Sequence, residues 1–287
     1  MTRRILLVVH PHRPEALEAA SLASAALAGE GVSTCTDFRV GDAPIEAALV
    51  LGGDGTMLHA ADMTRGTGIP LLGVNLGHVG FLAELERDDV AHAARRLAGG
   101  EYSVEERGTL DVTVTSPEGV VETGWALNDV TVERANLRTT IEVALDIDGR
   151  PLSTFGCDGV VVSTATGSTA HAFSAGGPVL WPDVDAVLVV PLAAHALFAR
   201  PLVVSPSSHV SVEILDRSSS DGQVVLDGAR AIDLARGGRV EVRRGAQTVR
   251  LARTSDAPFS ERLVKKFALP VDGFRGTRPI AGWGAGI

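Results

Sequence analysis

The sequence predicts a protein of two domains, an N-terminal doubly wound α/β domain followed by a C-terminal all-β, sandwich-like domain. Two observations predict this α/β plus β-rich architecture. Up to about residue 100, short apolar runs alternate with segments of helical pattern, and after Tyr102 the runs alternate apolar and polar residues around turn signals. The chain has 287 residues, of which 45% are hydrophobic, which is sufficient for two cores.

The first domain, residues 1–103, has a βαβαβα pattern. Its expected strands are the runs RILLVV, AALVL and IPLLGVN, and the last two are almost continuously apolar, as parallel strands buried on both faces are. The helical segments are PEALEAASLASAALAGEG, TMLHAADMTRG and DDVAHAARRLAGG. Pro14 suits the first turn of a helix, and Gly29 and Gly31 suit its end. The alternation predicts a parallel sheet covered by helices.

The second domain, residues 104–255, is dominated by strands. Segments such as LDVTVTSPEGVVETGWAL and IEVALDIDGRPLSTF alternate apolar and polar residues around the turn signals PEG and DG. The stretch ATGSTAHAFSAGG, rich in small residues, predicts a loop leading into a helix. Residues 256–287 predict a helix, SERLVKKFALP, and a Gly/Arg tail; the packing of this segment on the first domain is a hypothesis.

Composition excludes several classes of function. The formal net charge of −9 argues against a nucleic acid or an anionic membrane as partner, because both require a basic surface. No run of eighteen apolar residues is present and the N-terminal segment does not resemble a signal peptide, so we expect a cytoplasmic protein. Cys35 and Cys157 have neither disulfide nor zinc spacing and are expected to be buried thiols.

The GGDGT segment, residues 52–56, is the first candidate for chemistry. It follows an expected buried strand and precedes a helix, at the sheet edge where open α/β sheets bind ligands. It is neither a Walker A loop nor a GxGxxG fingerprint, and a tight glycine turn is the structural alternative. A carboxylate in a phosphate-binding loop is useful if it holds a divalent cation or accepts a proton from an attacking hydroxyl. Asp54 therefore points to phosphoryl transfer.

Three further segments carry polar groups that a ligand could use. NLGHVGFLAEL, residues 75–85, is a glycine-containing loop after another strand. Asn128 and Asp129 could bind a ribose or an adenine edge, although an Asn-Asp pair alone favours a turn. The segment 157–180 contains many hydroxyl groups and Asp158, but it has no GxSxG elbow, and His171 and His195 lack a recognisable Ser/Asp partnership.

These motifs together resemble, in order and approximate spacing, the bacterial NAD kinases over nearly the whole chain. GGDGT alone is shared with lipid kinases and 6-phosphofructokinases, whereas DGVVVSTATGSTAHAFSAGGP is more specific. The resemblance implies that NAD binds in the cleft between an α/β and a β-rich domain. It also implies ATP, or inorganic polyphosphate, as phosphoryl donor, a divalent cation with Mg²⁺ expected, and a homodimer or homotetramer.

The resemblance also implies roles for individual residues. Asp54 is implied as the proton acceptor for the 2′-hydroxyl of the adenosine ribose, and no metal ligand is assigned. His171, Ala165 and Ala229 stand where the family has tyrosine, proline and a longer polar side chain. The residues implied to contact NAD are Asp54, Gly55, His59, Asn128, Asp129, Thr139, Asp158, Thr166, Thr169, Ala170, His171, Ala172, Phe173 and Ser174.

Alternative functions differ from this one in features that can be tested. A lipid or sugar kinase shares GGDGT, but no amphipathic membrane-binding stretch stands out and the TGSTA block suits a dinucleotide better. A non-catalytic NAD(P) sensor would not need Asp54. A Rossmann dehydrogenase is disfavoured because GxGxxG is missing.

Overall fold

A computed structural model describes residues 3–10, 13–37, 44–77, 80–255 and 257–271. The chain divides into two compact units. The first comprises the described residues within Met1–Ala60, Leu71–Ser103 and Ala252–Ile287, and the second comprises Ala61–Pro70 and Val104–Leu251. These units differ from the predicted ranges 1–103, 104–255 and 256–287 mainly at residues 61–70, which belong with the β-rich unit. The Gly/Arg tail after residue 271 lies outside the described residues.

The α-helices are α1 (Pro14–Gly29), α2 (Asp54–Met63), α3 (Val90–Gly99), α4 (His171–Ser174) and α5 (Phe259–Phe267). The strands up to the middle of the chain are β1 (Arg4–Val9), β2 (Ser33–Cys35), β3 (Ala47–Leu51), β4 (Leu71–Asn75), β5 (Leu85–Glu86), β6 (Ser103–Arg107), β7 (Leu110–Thr115), β8 (Val121–Ala126), β9 (Asp129–Arg134) and β10 (Ile141–Ile147). The remaining strands are β11 (Arg150–Cys157), β12 (Gly159–Ser163), β13 (Val187–Leu192), β14 (Leu202–Val204), β15 (Val210–Ile214), β16 (Gly222–Leu226), β17 (Arg230–Leu234), β18 (Arg239–Arg244) and β19 (Val249–Arg253).

The first unit contains strands in the order β2-β1-β3-β4, with β5 paired to β4. Strands β1, β3 and β4 run parallel, with Leu7 opposite Leu49 and Leu49 opposite Leu72. Every residue of β3 and β4 is buried, as the apolar runs predict for strands covered on both faces. Helices α1 and α3 bury alanine and leucine side chains in the same core as these strands. The predicted α/β architecture is confirmed.

The second unit is a sandwich of two six-stranded sheets, ordered β11-β10-β15-β18-β7-β8 and β14-β13-β12-β9-β16-β17. Val112 and Val143 of one sheet and Val132 and Val160 of the other belong to a single buried core. Inward apolar residues alternate with outward polar ones in β7 and β10, which is the pattern expected of antiparallel sheets with one solvated face. The predicted all-β sandwich is confirmed.

Several local features differ from the sequence pattern. Helix α2 begins at Asp54 rather than at Thr56, because the glycine loop ends earlier than its composition indicates. The helix expected after ATGSTA is only the four residues of α4, preceded by a 3-10 turn over Thr166–Thr169. Cys157 is buried as expected, whereas Cys35 on the edge strand β2 is only partly buried. Among the described residues, no helix is long and apolar enough to cross a membrane.

Candidate active site

Asp54 is the first residue of α2 and follows β3 through Gly52 and Gly53. Its two carboxylate oxygens accept one backbone N–H each, Oδ2 from Phe81 at 2.9 Å and Oδ1 from Leu82 at 3.0 Å. The carboxylate therefore links the GGDGT loop to the end of the second glycine loop. Each oxygen retains a lone pair, so the group can still accept a proton or a hydrogen bond from a ligand.

Glycine makes this contact between the two loops possible. A Cβ atom at Gly80 would overlap the carboxylate of Asp54, and one at Gly52 would overlap the Thr56 side chain. The absence of a side chain at Gly80 allows the two loops to approach within hydrogen-bonding distance, and its absence at Gly52 leaves room for Thr56 within the GGDGT loop. His78 and Val79 of the second loop lie outside the described residues.

The segment that donates to Asp54 is held in turn by the C-terminal part of the first unit. The ring of Phe81 lies 6.0 Å from that of Phe259 and 5.8 Å from that of Phe267, both on α5. Arg253 donates to the carbonyl of Leu82 at 3.2 Å. Packing and hydrogen bonds therefore fix the two amides that orient the Asp54 carboxylate.

Gly55 and His59, the other predicted contacts in the first unit, lie on α2. Both are exposed, and a Cβ atom at Gly55 would meet nothing within 4 Å. These two positions are therefore accessible to a ligand.

In the second unit, Asn128 and Asp129 form a buried junction between β8 and β9, with 9% and 5% of their surface exposed. The carbonyl oxygen of Asn128 accepts hydrogen bonds from the Thr164 amide at 2.9 Å and from Ser163 Oγ at 3.1 Å. A Cβ atom at Gly167 would overlap this carbonyl group, so glycine is needed there. The Asn-Asp pair is therefore part of a fixed, buried site and not a surface turn.

Among the groups near this junction, Asp129 has the largest pKa shift. Burial, reinforced by the negative charge of Asp227, raises its pKa to about 7, against an opposing contribution from the backbone amide of His171. Burial also raises the pKa of Asp227, although backbone N–H groups and Arg230 oppose that shift. Two carboxyl groups thus share a desolvated region beside the predicted NAD contacts.

The segment after β12 lies at the same end of the sheet, because Ser163 is opposite Asp129 in the β9-β12 pair. Thr166 Oγ1 accepts a hydrogen bond from the buried Arg107 at 3.3 Å. His171 Nδ1 is 3.2 Å from Thr131 Oγ1, so the imidazole is held by β9. Along the predicted contact segment, Ala172 is buried, Thr169, Ala170 and His171 are partly buried, and Phe173 and Ser174 are exposed.

Asp158 and Thr139 form a separate group at the other end of the same strands. Asp158 pairs with Arg134 at 2.8 Å, and Arg134 also donates to the carbonyl of Thr139 at 3.2 Å. Arg134 is five residues from Asp129 along β9, which corresponds to about 16 Å of strand. The structure therefore does not bring these two predicted contacts next to Asn128 and Asp129.

Sequence reasoning assigned no role to four residues that support the junction. Asp227 accepts hydrogen bonds from three successive backbone amides there and from Arg230, which in turn donates to Asp62 and to the Trp125 carbonyl. The Asp-Gly turn between β16 and β17 is visible in the sequence as a hairpin signal, with φ of 52° at Asp227 and 68° at Gly228. That signal predicts the turn, but it does not predict the hydrogen bonds that the Asp227 side chain makes to the junction.

Among the residues that the structure describes, no group of three or more His, Cys, Asp or Glu side chains is arranged to hold a metal ion. In the loop after β3, Asp54 is the carboxylate that could contribute to one.

Comparison with known proteins identifies the family. Residues 32–102 match the model of the ATP-NAD kinase N-terminal domain, and residues 127–254 match that of the ATP-NAD kinase C-terminal domain. A curated protein named NAD kinase, from Leifsonia xyli subsp. xyli, is 58% identical over 238 residues, which are 83% of this chain and 78% of the relative. A curated NAD kinase from Corynebacterium diphtheriae is 48% identical over 96% of this chain and 94% of its own length.

A solved structure supports the same fold. The crystal structure of yeast NADH kinase complexed with NADH aligns with a TM-score of 0.86 over 96% of this chain and 90% of the yeast chain, at 22% identity. At 22% identity, this similarity supports the fold alone. The family assignment rests on the family models and on the bacterial relatives. This chain belongs to the NAD kinase family.

Proposed function

We propose that this protein is an NAD kinase that transfers the γ-phosphoryl group of ATP to the 2′-hydroxyl of the adenosine ribose of NAD, giving NADP and ADP. The observation that carries the proposal is the Asp54 carboxylate, fixed by two backbone amides at the start of α2 in a GGDGT loop. The family models of ATP-NAD kinase and the relatives named NAD kinase support the choice of substrates.

In this proposal Asp54 accepts the proton of the 2′-hydroxyl as the oxygen attacks the γ-phosphorus. The hydroxyl loses its proton to the carboxylate, the new P–O bond forms, and the bond to the β-phosphate oxygen of ADP breaks. The amides of Phe81 and Leu82 hold the carboxylate in one orientation, which lowers the entropic cost of alignment. Backbone amides of the glycine loop would position the phosphates.

We propose Mg²⁺ as the divalent cation. Magnesium is usually held by one or two carboxylates together with substrate phosphates, and not by a cage of protein ligands. The oxygens of Asp54 keep lone pairs beyond their two N–H bonds, so the residues present fit an ion bound in this manner. When bound, such an ion would neutralise charge on the phosphate oxygens during transfer.

Asn128, Asp129 and the residues from Thr166 to Ser174 would hold NAD in the second unit. Their backbones are fixed by buried hydrogen bonds, while Phe173 and Ser174 are exposed. His171, which stands where the resemblance expects tyrosine, keeps a flat ring that can donate or accept a hydrogen bond. Gly55, His59, Thr139 and Asp158 stay predictions as NAD contacts.

We also propose a cytoplasmic location and a homo-oligomer, a dimer or tetramer. Large apolar side chains are exposed on the second unit, among them Leu197, Phe198 and Trp181. A second copy of the chain would remove this surface from water. Light scattering of the purified protein tests the oligomer, and Leu197→Asp should reduce the measured mass.

The activity is tested by incubating the purified protein with Mg²⁺, NAD and either ATP or inorganic polyphosphate. NADP is then detected with an NADP-specific dehydrogenase. We expect NADP with ATP, and the polyphosphate arm identifies whether that donor is also used. Formation of no NADP from either donor would overturn the proposed function.

A further inference from the structure

We infer that Asp227 is a positioning residue for NAD binding, which sets the backbone of Asn128 and Asp129 and is itself held by Arg230. The inference rests on the proposed function, because it takes Asn128 and Asp129 as NAD contacts. All residues involved belong to the second unit.

One carboxylate, that of Asp227, accepts hydrogen bonds from three successive backbone amides. Asp227 Oδ2 accepts the Leu127 amide at 2.9 Å, and Oδ1 accepts the amides of Asn128 at 2.7 Å and Asp129 at 3.3 Å. The Asp227 amide donates in return to the carbonyl of Asp129 at 3.0 Å. Three consecutive donors converging on one side chain leave the backbone of this junction little freedom.

These hydrogen bonds occupy the backbone of Asn128 and leave its side chain available. The Asn128 amide is used by Asp227, and its carbonyl group is used by Ser163 and Thr164. In the part of the chain that the structure describes, the side-chain amide of Asn128 has no hydrogen-bond partner. Asn128 is 9% exposed, so a ligand can reach this side-chain amide and form hydrogen bonds with it. The backbone is thus fixed by Asp227 while the side chain remains available to NAD.

Arg230 holds the Asp227 carboxylate in place through a hydrogen-bonded ion pair. One terminal nitrogen of Arg230 donates to Asp227 Oδ2 at 3.0 Å and to the Trp125 carbonyl at 2.9 Å, and the other donates to Asp62 at 2.9 Å. The guanidinium group also lies over the Trp125 ring, 4.9 Å from its centroid. The planar guanidinium group contacts three hydrogen-bond partners and a ring face, and a lysine ammonium group cannot reproduce all of these contacts.

Arg230 is anchored on both sides of its guanidinium group. Asp62 also accepts a hydrogen bond from Trp125 Nε1 at 3.2 Å, and Arg65 stacks over the same ring at 4.1 Å. The side chain of Asp227 is only 4% exposed, whereas that of Arg230 is 32% exposed. Loss of the arginine would leave a buried carboxylate without its counter-charge.

The negative charge of Asp227 also contributes to the raised pKa of Asp129. The charged and titratable groups on the described elements around Asp129 are Asp227 on the β16-β17 turn, Arg230 on β17 and His171 on α4. Asp227 and burial raise the pKa of Asp129 to about 7. An ionised Asp129 is the better acceptor for ribose hydroxyl groups, so NAD binding should strengthen as the pH rises through about 7.

The test uses Arg230→Met, Arg230→Lys and Asp227→Asn in the full-length protein. We measure KM for NAD, KM for ATP and kcat, the Kd for NAD by calorimetry, and the unfolding temperature, between pH 6 and 9. Arg230→Met should raise KM and Kd for NAD about tenfold or more with KM for ATP changed less than about twofold, and Arg230→Lys should recover part of the loss. Asp227→Asn should weaken NAD binding and move its pH dependence to lower pH.

The inference is overturned if NAD affinity is unchanged in Arg230→Met and Asp227→Asn, or if KM for NAD and for ATP rise in parallel as the unfolding temperature falls. Failure of the proposed function is a different result, since the unaltered protein would then make no NADP. In that case the Kd for NAD still decides the inference. If Arg230→Met does not fold, the same measurements on Arg230→Lys and Asp227→Asn decide it.

Discussion

Gly80 lies directly against Asp54, so that a Cβ atom on the glycine would overlap a carboxylate oxygen of the acid. The next two residues after Gly80 donate their amides to that same carboxylate. The position of the proposed proton acceptor is therefore set by a glycine from a different loop. This relationship makes the geometry of Asp54 testable without altering Asp54 itself.

The substitution Gly80→Ala should lower kcat by about tenfold or more, because the carboxylate must move away from its two amide donors and lose its alignment. The matched control is Gly29→Ala at the end of α1, where a Cβ atom meets nothing within 4 Å. Steady-state kinetics of NADP formation measures both. Equal kcat values for the two variants would contradict the proposed alignment.

Asn128→Ala should chiefly raise KM for NAD, since it removes the side-chain amide while the backbone hydrogen bonds to Asp227 and Thr164 remain possible. The loss of one buried hydrogen-bonding group costs about 1–3 kcal/mol, which corresponds to roughly 5- to 150-fold in KM. KM for ATP, measured at saturating NAD, serves as the internal control. An unchanged KM for NAD would remove Asn128 from the binding site.

The parts of the fold that the sequence predicts are those with a strong periodic pattern. The almost continuously apolar runs of β3 and β4 indicate buried parallel strands, and the alternating pattern of β7 and β10 indicates a half-buried sheet. The length of the short α4 was not predictable, because alanine favours a helix whereas the neighbouring serine and glycine residues disfavour one, and a helix this short is marginal without tertiary packing.

The supporting residues of the candidate site could not be predicted in the same way. Asp54 and Asn128 stand in recognisable motifs, whereas Asp227 contacts Asn128 across 99 residues of sequence. Its Asp-Gly turn is typical of any β-hairpin, and nothing local indicates where the carboxylate is used. Likewise, the separation of Asp158 from Asp129 depends on the antiparallel register of β9 and β12, which composition does not encode.

Asp129→Asn should stabilise the protein increasingly as the pH rises. The pKa of Asp129 is about 7 in the folded chain and about 3.9 in an unfolded chain. The folded state therefore binds this proton more tightly, and the free energy of unfolding falls as the pH rises from about 4 to about 7 and levels off above. Asparagine does not titrate, so the gain should grow to on the order of 2–4 kcal/mol by pH 8.

Urea unfolding of both proteins at pH 5, 6, 7 and 8 measures this difference. Comparison with the unaltered chain at each pH cancels the contributions of the titratable groups that do not interact with Asp129. A difference in the free energy of unfolding that is the same at every pH would mean that Asp129 is not held in a perturbed state.

The central claim, that Asp54 accepts the 2′-hydroxyl proton during transfer from ATP to NAD, is tested most directly by single-turnover NADP formation in the unaltered protein and in Asp54→Asn. Asparagine keeps one acceptor for the amides of Phe81 and Leu82 but cannot take the proton. With NAD binding verified by calorimetry, we expect NADP from the unaltered protein and a rate about 10²- to 10⁴-fold lower in the variant. A near-normal rate in Asp54→Asn would contradict the account.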